Sequence, residues 1–254
     1  MSSNSSVIVN MEYLKEVLPA DLFDPVTLWS LASTVAILVV AYGLSLATLD
    51  SSISKARRFL FIWHAFDALI HFCLEGSFLY HCFFSWMPLG SVSNPSALAP
   101  TAYNFLGHTN RAYGPQAGGD APMAQLWMIY AKADRRWGGA DLAVISLELL
   151  TVFIAGPLAA YVSYGIAKKK ESVNVLMVVI ATMEMYGGWI TFCPEWLVMN
   201  YNLDLSTFMY KWVYLVFFNV LWVFIPLYAC YVAVSDMNDA YAVRAKVNAA
   251  KKSK

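Results

Sequence analysis

The fold is decided by residues 59–89, which read FLFIWHAFDALIHFCLEGSFLYHCFFSWMPL. This block is long enough to cross a bilayer, because a membrane-spanning helix needs about 20 mostly apolar residues. It nevertheless contains Asp67, His71 and Glu75, whose i, i+4, i+8 spacing places all three on one helical face. A carboxylate at the bilayer centre costs about 2.5–3.5 kcal/mol on insertion scales. The block therefore predicts a membrane helix with one polar face.

Four more blocks of the chain are similarly apolar. Of the 254 residues, 59% are hydrophobic and 13% are charged, whereas soluble domains carry about 25% charged residues. None of the blocks alternates with period two, so they predict helices and not barrel strands. The sequence thus predicts an all-α fold, a polytopic membrane bundle of five transmembrane helices. The predicted spans are residues 26–48, 59–89, 140–167, 172–199 and 207–234.

The basic residues predict how the bundle is oriented. Most of the 17 Lys and Arg residues lie in the first loop, the third loop and the C-terminal tail, which share one side of a five-span bundle. Because Lys and Arg favour cytosolic loops, we expect the tail (235–254) in the cytosol and the N-terminal segment (1–25) in the lumen. The last four residues, KKSK, resemble a dilysine retrieval signal of the endoplasmic reticulum, which also requires a cytosolic tail.

Overall charge and cysteine usage argue against two classes of function. The net charge is zero, so nothing suggests a nucleic-acid partner. The four cysteines lie inside the apolar blocks without a CxxC pair or a Cys/His cluster, so we expect inert thiols and no metal site.

The second loop is unusually long. Residues 90–121 are rich in Ser, Pro, Gly, Asn and Ala, and loops of this length are either functional lids or disordered. Residues 122–137 then read as a short amphipathic helix at the membrane interface. We expect its Trp127, Tyr130 and Trp137 to lie in the headgroup layer.

The remaining predicted spans also carry polar side chains. Exposing each of them separately to lipid would be the costliest arrangement, so we expect them to converge on the bundle interior. Taken singly, such residues are more often packing contacts between helices than functional groups. The polar residues are Glu148 and Thr151 in the third span, Glu184 and Tyr186 in the fourth, and Asn219 and Trp222 in the fifth.

The pair of His71 and Glu75 points more directly to chemistry. An imidazole beside a buried carboxylate is a proton donor–acceptor pair, and Glu148 adds a second base. A general acid and a general base on opposite sides of an apolar cavity are what a proton-shifting isomerase requires. By contrast, we expect Asp67, together with His64 and His81, to lie near the ends of a tilted span in a structural role.

Five short motifs occur in order between about residues 59 and 230. They are IHFCLEG at 70–76, QLWMIYAKAD at 125–134, LELLT with GP at 147–157, YG at 186–187, and FNVLW with P at 218–226. Together they resemble the emopamil-binding protein family, the sterol Δ8–Δ7 isomerases that carry an EXPERA domain. The resemblance implies a five-helix membrane bundle of the endoplasmic reticulum.

The resemblance also implies an intramolecular isomerase that needs no cofactor and no metal. A proton is delivered to C9 of the sterol, a cationic centre develops at C8, and a proton leaves C7. The implied catalytic residues are His71, Glu75 and Glu148. The implied substrate-binding residues are Thr151, Tyr186, Asn219 and Trp222. Lipophilic amines are implied as inhibitors, because an ammonium mimics the carbocation.

The chain departs from the family pattern in two places. Many members have Asp after the Tyr-Gly of the fourth span, where this chain has Gly188, and Glu184 is a candidate to compensate. The second loop is also longer than in animal members. Both departures leave the substrate open.

Three functions are therefore consistent with the sequence. The first is a sterol Δ8–Δ7 isomerase of sterol biosynthesis. The second is a related isomerase or cyclase that acts on another polycyclic terpenoid in specialised metabolism. The third is a non-catalytic membrane protein that binds sterols or amines. The sequence leaves both a monomer and a homodimer open.

Overall fold

Five long helices make up the membrane bundle. The computed structural model describes residues 22–252 of the chain, so most of the predicted lumenal segment lies outside the described residues. Five helices are long and apolar enough to cross a membrane, and the prediction of five spans in a multi-pass membrane protein is confirmed. They are α1 (Pro25–Thr48), α2 (Lys55–Phe84), α4 (Leu142–Ala167), α5 (Val173–Leu197) and α6 (Met209–Lys252).

Three of these helices begin at side-chain caps. Asp24 accepts a hydrogen bond from the backbone N–H of Val26 at the start of α1, and Ser54 caps α2. Asp141 accepts from two backbone N–H groups at the start of α4. These oxygens satisfy N–H groups that have no partner within the helix. The capped starts explain why the observed helices begin within a few residues of the predicted spans.

Two helix ends differ from the prediction. The second span ends at Phe84 and not at residue 89, because the chain turns into an antiparallel strand pair, β1 (Trp86–Pro88) and β2 (Arg111–Tyr113). The fifth helix continues beyond residue 234 as far as Lys252. The basic tail is therefore a helical extension of α6 over the described residues.

The helix α2 is the centre of the bundle. In its most apolar window 56% of residues are buried, compared with 11% in α1, whose outward face presents side chains such as Val35 and Val39 to lipid. The helix packs against α1 and against the C-terminal half of α4, while α5 packs along α6. Residues on α2 can therefore meet side chains from several other helices.

The second loop is ordered and forms a cap over one end of the bundle. We define the cap as residues 85–141; it contains the β1–β2 pair, the short helix α3 (Pro122–Tyr130) and several turns of 3₁₀ helix. Of Trp127, Tyr130 and Trp137, which were expected to face the headgroup layer, the two tryptophans face the protein interior instead. Trp127 and Trp137 are buried and stack on each other, with ring centroids 5.0 Å apart and an interplanar angle of 9°.

A buried ion pair holds the cap to the membrane helices. Arg136 is 2% exposed and bonds both oxygens of Asp134, at 2.9 and 2.6 Å, while a third nitrogen donates to the carbonyl of Thr191 on α5 at 2.6 Å. The carboxylate of Glu195, also on α5, lies 3.6 Å from the same guanidinium. These contacts connect the cap to α5 through buried polar groups.

Candidate active site

A cavity of about 200 Å³ lies inside the half of the bundle that the cap covers. All five long helices contribute to its wall, and Trp127, Tyr130 and Trp137 from the cap close one side. Most of the wall is apolar. The polar or ionisable residues that line it include His71, Glu75, Glu148, Thr151, Glu184, Thr191 and Asn219.

Six of the seven residues singled out from the sequence line this one cavity. They are His71, Glu75, Glu148, Thr151, Asn219 and Trp222. The seventh, Tyr186, does not, and its side chain is 66% exposed. On α5 the inward face carries Glu184, Gly187 and Thr191 at i, i+3 and i+7, and the helical rotation turns Tyr186 away from it. The expectation that Tyr186 contacts the substrate therefore finds no support in the geometry.

His71 is held between two carboxylates of its own helix. Its Nδ1 lies 2.5 Å from Glu75 Oε2, and its Nε2 lies 3.2 Å from Asp67 Oδ1. Residues Ile70–Glu75 form a π-helical turn, a distortion found frequently at functional sites. The contacts fix both the position and the ring orientation of the imidazole.

A small residue on α4 allows the two helices to approach each other at this point. A Cβ added at Gly156 would lie 3.1 Å from the ring of Phe72 and 3.2 Å from the Cβ of His71. A larger residue would push α4 away from α2. The glycine of the GP motif therefore places the polar residues of α4 within reach of Glu75.

Glu148 is adjacent to Glu75 and does not lie opposite it. The two carboxyl groups are within hydrogen-bonding range of each other, and the Thr151 hydroxyl donates to Glu148 Oε2 at 2.7 Å. A hydrogen bond between two carboxyl groups requires a proton on one of them. We expected the acid and the base on opposite sides of the cavity. Instead, His71, Glu75 and Glu148 form one contiguous group.

The two polar residues of α6 are held by hydrogen bonds of their own. The indole Nε1 of Trp222 donates to Asp67 Oδ1 at 2.8 Å, and its ring packs edge-on against Trp63 with centroids 5.3 Å apart. The Asn219 amide donates to the carbonyl of Leu215 at 2.9 Å and to the Tyr130 hydroxyl at 3.2 Å. Asn219 thus connects α6 to the cap beside the cavity.

The sequence-based reasoning missed two groups at this site. Asp67 is fully buried and contacts both His71 and Trp222, although it was expected near the end of a tilted span. Its spacing of four residues from His71 was the signal for this role. Tyr130 lines the cavity from the cap, and burial raises the pKa of its phenol, so its hydroxyl is a neutral hydrogen-bonding group.

The electrostatic character of the cavity favours a cation. Several carboxyl groups face a largely apolar space, and a negative charge acts more strongly there than in bulk water. The face of an indole such as Trp222 also attracts cations. Among residues 22–252, no three His, Cys, Asp or Glu side chains are arranged to hold a metal ion.

The chain is similar in sequence to a known family and to several curated proteins. Residues 122–233 match the family model described as EXPERA (EXPanded EBP superfamily). A probable 3-beta-hydroxysteroid-Delta(8),Delta(7)-isomerase of Oryza sativa is 26% identical over 214 residues, which cover 84% of this chain and 83% of the relative. The mouse 3-beta-hydroxysteroid-Delta(8),Delta(7)-isomerase is 24% identical over 207 residues, covering 82% and 76%. An isomeliandiol synthase of Melia azedarach is 24% identical over 189 residues, covering 74% of each chain.

Proposed function

We propose that the protein is an intramolecular isomerase that shifts a ring double bond of a sterol from Δ8 to Δ7. The proposal starts from the match of the chain to the EXPERA family model and from its similarity to named sterol isomerases. The observation that carries the proposal is the contiguous group of His71, Glu75 and Glu148 in an apolar cavity inside the bundle. The group can exchange protons, and the cavity suits a lipophilic substrate.

The proposed reaction moves one proton onto the sterol and one proton off it. The electron pair of the C8=C9 bond takes a proton at C9, which leaves C8 cationic. Loss of the proton from C7 then returns a C–H electron pair to form the C7=C8 bond. No electrons are gained or lost overall, so the residues only have to deliver a proton, stabilise the cation and accept a proton.

Each side chain has a role in this scheme. His71 and Glu75 form the donor–acceptor pair, and Glu148, oriented by Thr151, is the second base. The carboxylates and the indole of Trp222 stabilise the developing charge, with about 0.5–2 kcal/mol from the indole face. The same charge distribution would bind lipophilic amines, which we propose as inhibitors.

A second candidate substrate is another polycyclic terpenoid. One support is that the relatives include the isomeliandiol synthase. Another is that Gly188 lines the cavity, where a Cβ added to this glycine would have no atom within 4 Å. The cavity thus has free space where many family members carry Asp. Proton delivery and cation stabilisation would serve this substrate equally. The third candidate, a non-catalytic binding protein, does not explain why three proton-exchanging groups meet in one cavity.

We place the protein in the membrane of the endoplasmic reticulum with the C-terminal tail cytosolic. The support is the distribution of Lys and Arg and the Lys251-Lys252 pair near the end of the chain. In this orientation the cavity and the cap lie toward the lumen.

The test is to incubate the purified protein with a Δ8-sterol in deuterated water. We expect a Δ7-sterol with deuterium at C9. Conversion of a tetracyclic terpenoid but not of the sterol would instead select the second function. Binding of both compounds without conversion of either would select the third.

A further inference from the structure

A second pair of buried carboxyl groups lies next to the group of His71, Glu75 and Glu148. Glu184 reaches from α5 to within hydrogen-bonding range of Asp67 on α2. Both side chains are buried, and among the described residues Asp67 Oδ2 and Glu184 Oε1 have no hydrogen-bond donor. A buried carboxyl oxygen without a donor is costly, and two facing carboxyl groups relieve that cost by sharing a proton.

Asp67 joins this pair to the candidate active site. Its Oδ1 lies 3.2 Å from Nε2 of His71, whose Nδ1 contacts Glu75, and Glu75 contacts Glu148. The five groups therefore form an unbroken series, in the order Glu184, Asp67, His71, Glu75 and Glu148. The two ends line the cavity, whereas Asp67 lies behind its wall.

We propose that these five groups form one proton relay, in which Glu184 is a second proton-exchanging carboxyl of the cavity and Asp67 connects it to His71. The inference rests on the proposed isomerase function and extends it. It supplies the separation between acid and base that His71, Glu75 and Glu148 do not provide by themselves, because those three are contiguous.

The protons in such a relay balance. At rest all five groups are neutral: Glu148, Glu75, the Nε2 of His71 and Asp67 each hold the proton of one contact, and Glu184 holds a fifth proton. When Glu184 gives its proton to C9, one proton moves across each contact toward it, from Asp67 to Glu184, from Nε2 to Asp67, from Glu75 to Nδ1 and from Glu148 to Glu75, which leaves Glu148 as a carboxylate. Glu148 then takes the proton that leaves C7, so all five groups are neutral again. The protons now lie on the opposite side of each contact, and exchange of one proton with water at each end of the series returns them to their starting positions.

The relay makes Glu184 and Asp67 essential for a reason other than packing. Glu184→Gln and Asp67→Asn keep the shape of each side chain but remove its ability to pass a proton. We expect kcat to fall about 100-fold or more in each variant, because positioned acid–base groups contribute roughly 10²–10⁴ in rate. The affinity for an uncharged sterol should stay within about threefold of wild type, since the cavity wall keeps its shape.

Two measurements are decisive: the turnover of the double variant, and the rescue of turnover by an added carboxylate. Both use the substrate that the wild type converts. If both residues serve one relay, Asp67→Asn with Glu184→Gln should lose no more activity than either single variant. Formate should restore turnover to Glu184→Ala by replacing the missing carboxyl, which it would not do for a packing defect. Glu171→Gln, in the exposed loop before α5, is the control and should retain full activity.

Two results would overturn the relay. One is near-wild-type kcat in Glu184→Gln, and the other is multiplicative losses in the double variant without rescue by formate. A wild-type protein that converts neither sterol nor terpenoid would refute the proposed function itself, which distinguishes the two failures.

Discussion

The indole Nε1 of Trp222 donates a hydrogen bond to the carboxylate of Asp67 across 2.8 Å, although the two residues are 155 positions apart in the chain. The same carboxylate oxygen lies 3.2 Å from His71. One buried side chain therefore orients both the imidazole that would carry protons and the aromatic ring that would face the cation.

The first prediction concerns the acid–base group. His71→Ala, Glu75→Ala and Glu148→Ala should each reduce turnover of the Δ8-sterol by about 10²–10⁴, because each removes a positioned proton-exchanging group. Expression should remain near normal, since removing a costly intramembrane ionisable group does not impair insertion. Sterol conversion is measured in microsomes at matched protein levels. Near-wild-type turnover in any two of the three variants would remove this assignment.

The second prediction separates two tyrosines. Tyr186→Phe should leave kcat and KM within about twofold of wild type, because its side chain is exposed away from the cavity. Tyr130→Phe removes a hydroxyl that lines the cavity and accepts from Asn219, and it should cost about 1 kcal/mol, or roughly fivefold, in kcat/KM. Steady-state kinetics on both variants decide the matter. A larger loss in the Tyr186 variant would place the substrate elsewhere.

The third prediction concerns Trp222 and cationic ligands. Trp222→Leu keeps the position apolar but removes the aromatic face, so a lipophilic tertiary amine should bind up to about 30-fold more weakly, equivalent to about 2 kcal/mol. Turnover should fall by a similar factor, and Trp222→Phe should lie between. Affinities for the amine and for an uncharged steroid are measured on the same variants. Equal losses for the two ligands would mean that the indole face does not recognise the cation and that Trp222 acts only by packing and by its hydrogen bond to Asp67.

The fourth prediction concerns the buried ion pair of the cap. Arg136→Met leaves Asp134 buried without its partner and should destabilise the protein by about 3–5 kcal/mol. The double variant with Asp134→Leu should recover part of that loss, since Asp134 is then no longer a buried charge without a partner, while Glu195 keeps its hydrogen bonds from Asn202. Thermal unfolding in detergent measures both, with Arg244→Met on the exposed tail helix as the control. A single variant as stable as the control would show that the pair does not hold the cap.

The fifth prediction concerns orientation. In sealed microsomes a protease should cleave a tag placed after the C-terminal Lys251-Lys252 pair and spare a tag at the N-terminus. Asn4 begins an Asn-Ser-Ser sequon, outside the described residues, and it should be open to glycosylation in the lumen. Protection of the C-terminal tag with cleavage of the N-terminal one would reverse the orientation and exclude a cytosolic dilysine signal.

The sequence by itself determined the five spans and the polar face of the second helix. Hydropathy is a local property, because each span meets the bilayer over its own length, and the i, i+4 spacing of His71 and Glu75 is a property of one helix. The structure confirms the spans, and it brings six of the seven selected residues to one cavity.

Only the tertiary structure decided which groups meet. Two partners of Asp67, Glu184 and Trp222, come from α5 and α6, and no pattern within α2 predicts them as its neighbours. The buried stack of Trp127 on Trp137 likewise depends on how the cap folds over the bundle. The amphipathic pattern of a helix shows that its apolar face is covered, but it does not show which residues cover that face. Glu184 and Tyr186 are two residues apart on α5, so they point to nearly opposite sides of that helix. Which of the two sides faces the cavity is set by packing between helices, and the structure turns Glu184 inward and Tyr186 outward.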